Sequence, residues 1–154
     1  MSRFQFHLQT LLDYRIRRED ALKRRLAEIE SALLREQQAL EELEQARRTA
    51  VSYYNQLAPE VVDVEEERLF RSFYARLCSQ IEDKQKVISD LNEEFNAQLE
   101  RVVEAMRERK TVQSLRDKQF EQFKLGELKR EQAFLDDIAT TQFVASQVAG
   151  ENPI

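Results

Sequence analysis

The chain has 154 residues, with only two Gly, two Pro, no Trp and 34% charged side chains, which excludes an ordinary globular core and leaves helix-forming material almost throughout. A formal net charge of −5 and a pI near 5.1 argue against nucleic acid as the main partner, because phosphate binding needs a net basic face. At 42% hydrophobic residues the chain is not compositionally disordered. No run approaches the roughly 18 apolar residues of a membrane span, and no signal-peptide core stands at the N-terminus, so a cytoplasmic location is expected.

The first run, about Phe4 to Leu57, fits a heptad frame. One seam position carries Leu12, Leu26, Leu33, Leu40 and Tyr54, and the other carries Leu8, Leu22, Ile29, Leu43, Ala50 and Leu57. Arg15, Glu19, Glu36 and Arg47 interrupt the frame and help to set register, since a mispaired helix would have to bury those charges. The run breaks at Leu57-Ala58-Pro59-Glu60-Val61-Val62-Asp63-Val64. Pro59 lacks a backbone N–H and biases Ala58 away from the α region. Asp63 followed by Glu66 then has the form of a capping box, with Glu65, Glu66 and Glu67 favoured by the helix dipole.

The second run extends from about Glu65 to Val148. Its seam reads Tyr74, Leu77, Ile81, Ile88, Leu91, Phe95 and Val102, then drifts through Leu99, Met106 and Val112. An apolar stripe returns with Phe120, Phe123, Leu128, Phe134, Leu135, Ile138 and Phe143, and Gly126 is a weak point inside it. The expected fold class is therefore all-α: two long helices in an antiparallel coiled-coil hairpin. Its parts are a first helix over 1–57, a turn over 58–64, a second helix over 65–148 and a disordered tail over 149–154. With the turn centred near Val61, Gln5 falls near Lys118, and residues from about Gln119 to Val148 overhang the first helix. An apolar stripe without an intrachain partner marks a binding face.

Tyr53, Tyr54, Phe70, Phe73 and Tyr74 gather near the turn, with Tyr54 and Tyr74 at seam positions and Tyr53, Phe70 and Phe73 on the flanks. Charge is uneven too. The turn is acidic, while Arg15, Arg17, Arg18, Lys23, Arg24 and Arg25 fall opposite Arg101, Arg107, Arg109 and Lys110, a basic collar that suits an acidic partner. Chemistry is scarce. His7 is the single histidine, Cys78 the single cysteine, and Gly126 and Gly150 the only glycines, so no phosphate loop, no site needing a second histidine and no internal disulfide is available. No catalytic residue, metal site or cofactor is expected.

The opening Phe4-x-Phe6-x-Leu8-x-x-Leu11-Leu12-x-x-Arg15-x-x-x-Glu19 and the late Arg130-Glu131-Gln132-x-x-Leu135-Asp136-Asp137-x-Ala139-x-x-x-Phe143 resemble the two ends of the FliJ family of the flagellar type III export apparatus. A stalk protein of a virulence secretion system has the same architecture, and a homodimeric coiled-coil tether kinked at Pro59 fits the heptads as well. The FliJ resemblance implies a non-enzymatic, central-stalk-like coiled coil in flagellum biogenesis and motility. Its implied partners are the export ATPase hexamer, the cytoplasmic linker of the export gate and export chaperones, at the cytoplasmic side of the inner-membrane apparatus. The end bearing both termini is the one the resemblance inserts in the ATPase ring, which makes Leu8, Leu12, Phe134, Leu135, Ile138 and Phe143 candidate ring contacts, assisted by Arg15, Arg17 and Arg18. Near the turn, Tyr53, Phe73 and Leu77 match the gate-binding pattern, whereas Ala46, Gln80 and Lys84 depart from it.

Overall fold

A computed structural model describes residues 3–57 and 63–150. It contains two helices, α1 (Gln9–Gln56) and α2 (Val64–Gly150), and no strand among the described residues. The helices pack antiparallel as a hairpin: Glu36 of α1 meets Lys84, Arg25 meets Glu94 and Tyr54 meets Phe70, so partners on α2 fall in number as those on α1 rise. Pro59 lies outside the described residues, as does the tail beyond Gly150. Two compact units are present, one from Arg17–Met106 and one from Met1–Ile16 with Arg107–Ile154.

In the Arg17–Met106 unit, buried and half-buried positions alternate three and four residues apart on both helices, the spacing of a heptad seam. On α1 they run Glu19, Leu22, Leu26, Ile29, Leu33, Glu36, Leu40, Leu43, Arg47, Ala50 and Tyr54. Those on α2 run Leu77, Ile81, Lys84, Ile88, Leu91, Phe95, Gln98, Val102 and Ala105. Leu99 is exposed. The expected drift through Leu99 is thus corrected: the seam keeps its spacing by burying Gln98, whose amide donates to the Leu22 carbonyl at 3.1 Å. A buried amide is tolerated when it is bonded in this way. Of the interrupting charges, Glu19 is buried and accepts from Lys23 at 2.6 Å, and Glu36 accepts from Lys84 at 2.7 Å. Arg25, which is exposed, is held protonated to a higher pH than usual by its hydrogen bonds to Glu28 and then Glu94.

Near the turn, Tyr54 and Phe70 stack with ring centroids 4.2 Å apart, and Phe70 stacks on Tyr74 at 6.0 Å. Phe70 is therefore a seam residue, one heptad before Leu77, and not a flank residue. Tyr53 and Phe73 point outward. Asp63 starts α2: its carbonyl accepts the Glu67 N–H at 3.0 Å and its carboxylate accepts the Val64 N–H at 2.7 Å. The acidic first turn of Glu65, Glu66 and Glu67 meets the positive end of the helix dipole.

In the other unit α1 begins at Gln9, a turn later than the heptads suggest, with the Gln9 N–H on the Phe6 carbonyl at 3.1 Å. Residues 3–8 are not helical, and extended chain advances about twice as far per residue as helix. Phe4 consequently reaches α2 at Phe120 (5.1 Å, edge-on) and Phe123 (5.6 Å), while Phe6 and Leu12 are buried. The expected unpartnered stretch from Gln119 is corrected accordingly: Phe120 and Phe123 are partnered within the chain. From Leu128 onward every residue to Gly150 is exposed.

Gly126 sits within α2 with ordinary helical φ, and a Cβ added there would meet nothing within 4 Å. Gly126→Ala should therefore stabilise the helix by about 1 kcal/mol, measured as slower amide hydrogen exchange around residues 122–130. Unchanged or faster exchange would count against that reading.

Candidate functional site

Two groups of candidate residues come from different parts of the chain. The terminal group lies largely in the unit that holds both chain ends. There Phe134 (65% exposed), Leu135 and Phe143 stand open, Ile138 less so, and Leu8 is exposed at the start of α1. Leu12 is buried at 3%, so it holds the helices together and presents no surface. Arg15 is tied down as well: its Nη1 binds the Glu108 carboxylate, and its Nε is buried without an acceptor. Arg17 and Arg18 are exposed and belong to the Arg17–Met106 unit.

The apolar residues beyond Leu128 do not form one face. At 100° per residue, Phe134, Leu135 and Ile138 lie within about 100° of each other, but Phe143 falls about 140° round the helix from Ile138. Val144 and Val148 are also exposed and point to further sides. From Ile138 to Gly150 no Asp, Glu, Lys or Arg occurs. A fully exposed stretch of helix with apolar groups on several sides and no charge has the composition of a helix surrounded by other protein. The absence of charge was readable in the sequence, but a search for a single stripe passes over it.

Much of the basic collar is compensated within the hairpin. Arg15 is bound to Glu108, Lys23 to Glu19, and Arg25 to Glu28 and Glu94; Arg24 donates to the Asp20 carbonyl. Arg17, Arg24 and Arg101 of the Arg17–Met106 unit make no ion pair among the described residues and keep positive charge there; in the other unit Lys110 makes none.

The second group is near the turn. Tyr53 (65% exposed) and Phe73 (46% exposed) line one groove with Leu69 and Leu57 over the stacked Tyr54 and Phe70. Leu77 is buried at 5% in the seam and is not on that surface. Farther along the hairpin a second groove is lined by Ala39, Leu43, Gln80, Lys84 and Val87. No helix among the described residues is long and apolar enough to cross a membrane.

The paired ends and the seam between them are what a comparison with protein families picks out: the family described as "Flagellar FliJ protein" matches residues 4–147. The chain belongs to the FliJ family. The match takes in both helices and both groups of candidate residues. FliJ membership makes the chain a component of flagellar type III protein export. No curated protein and no solved structure matches it. Within this FliJ-family chain exposed large apolar residues gather at the C-terminal part of α2, beside the turn and, with Leu8, Leu11, Tyr14 and Ile16, around the start of α1, and such places are where docking is sought.

Proposed function

We propose that this FliJ-family protein is a non-catalytic stalk of the export apparatus, working in the cytoplasm at the inner-membrane machinery, and that the C-terminal part of α2 docks inside the export ATPase ring. The observation that carries this is the uncharged helix from Ile138 to Gly150, every residue of which is exposed and whose apolar groups point to several sides. A flat partner would cover one side of it and leave the others in water, whereas a ring encloses it. Phe134, Leu135, Ile138 and Phe143 supply the apolar contacts and Leu8 adds to them. Arg17 and Arg18 supply charge, while Leu12 is taken up by packing and Arg15 by Glu108. Docking promotes ring assembly. The groove at Tyr53 and Phe73 receives the cytoplasmic linker of the export gate, with Leu77 as the packing beneath, and the same protein escorts and recycles export chaperones.

The test is ATP turnover by the cognate export ATPase at several concentrations, with and without the full chain. Saturable stimulation at substoichiometric amounts, accompanied by a hexamer-sized mass, is the expected result. No change in turnover or assembly would remove the ring from the proposal. The alternative of a parallel homodimeric tether is disfavoured by the cross-helix pairs within one chain, Glu36–Lys84 and Arg25–Glu94, and sedimentation separates a monomer from twice its mass.

A further inference from the structure

We infer that the groove lined by Arg47, Val51, Asn55 and Tyr74 is a second docking site, one that takes an acidic, partly apolar peptide segment of a partner protein. Four charged residues of α1 occupy seam positions: Arg15, Glu19, Glu36 and Arg47. Three of them have partners within the chain, at Glu108, Lys23 and Lys84. Arg47 is half-buried and makes no hydrogen bond or ion pair among the described residues. Its nitrogens are not sealed from solvent either, since the buried and unsatisfied side-chain polar atom is Arg15 Nε.

A seam charge without a counter-charge weakens a coiled coil relative to an apolar residue, so at this position the hairpin forgoes stability. The surroundings state what would complement it. The groove contains Arg48, Ser52 and Gln56 beside Arg47 and Asn55, with Val51 and Tyr74 as its apolar lining, and no acidic residue lines it. Arg48 has an acid from its own helix, Glu41 at 2.9 Å; Arg47 has none. Planar guanidinium and amide donors above an apolar lining recognise carboxylates carried on a side chain with methylenes, as in an acidic amphipathic segment. The groove shares no lining residue with the one at Tyr53 and Phe73, and Val51 and Tyr53 point about 160° apart around α1. Two partners could therefore occupy the two flanks at once.

The experiment uses the full chain and fluorescence anisotropy with three probes: a labelled peptide of repeating Glu-Leu-Glu-Ala units, the same peptide with Gln for Glu, and phosphatidylglycerol vesicles. The acidic peptide should bind saturably and the Gln peptide at least about tenfold more weakly, the share expected of hydrogen bonds to a charged group. Arg47→Leu should lose about tenfold in affinity for the acidic peptide while melting at the same or a higher temperature, because an apolar residue now fills the seam. Asn55→Leu, on the exposed rim, should weaken binding without altering the melt. Lys86→Ala removes one positive charge elsewhere on the hairpin and should leave binding as it was. Wild-type affinity in Arg47→Leu overturns the proposal, as does an equal loss in Lys86→Ala, which would mean bulk charge attraction. Binding to the vesicles but not to the peptide would also overturn it.

Discussion

Phe134→Asp should abolish stimulation of the export ATPase and leave the hairpin folded. Phe134 is 65% exposed and touches no core, so the change should move the unfolding free energy of the free chain by no more than about 0.5 kcal/mol. Inside a ring the same position would be enclosed, and a carboxylate there has to be desolvated without a counter-ion. A central apolar anchor is worth about 2–4 kcal/mol at an interface, so affinity for the ATPase should fall by a hundredfold or more. Thermal melting by circular dichroism checks the first half of this expectation, and turnover against added chain checks the second. Full stimulation by the variant would show that this part of α2 is not the docking element.

A second large effect separates packing from recognition beside the turn. Leu77→Ala should cost about 2–5 kcal/mol in urea unfolding, the range for emptying a closed hydrophobic site, because Leu77 is 5% exposed in the seam. Phe73→Ala, four residues earlier on the open flank, should stay within about 1 kcal/mol of the parent yet lose binding to the gate linker. If the groove at Tyr53 and Phe73 is the gate site, binding follows Phe73 at constant stability, and any loss in Leu77→Ala tracks unfolding. Undiminished gate binding by a folded Phe73→Ala chain would move that site elsewhere on the hairpin.

Legibility differed between the seam and the surfaces for a physical reason. Heptad spacing is a property of the chain itself, so Leu22, Ile29, Ile81 and Val102 could be placed at the interface from their order alone, and the charges at Arg15, Glu19 and Glu36 could be recognised as seam interruptions. Whether a polar residue continues the seam depends on what lies opposite. Gln98 is buried because the Leu22 carbonyl is within reach, whereas apolarity alone favoured its neighbour Leu99. Phe70 likewise joins the seam because Tyr54 stacks on it. The stretch before Gln9 reads as continuous heptad, but burying Phe4 and Phe6 against α2 outweighs another turn of helix. That local choice decided that Phe120 and Phe123 have a ring partner within the chain.

Composition and periodicity by themselves determined an all-α hairpin built on heptads, poor in the groups that catalysis needs, with a family signature at both ends. The tertiary structure decided which residues of that hairpin are surface. It withdrew Leu12 and Leu77 into the packing, bound Arg15 to Glu108, and left Phe134, Phe143, Tyr53 and Phe73 open. It also left Arg47 in the seam without an acid among the described residues. Side-chain exposure is set by what the opposite helix places within a few ångströms, and no spacing along one chain contains that information.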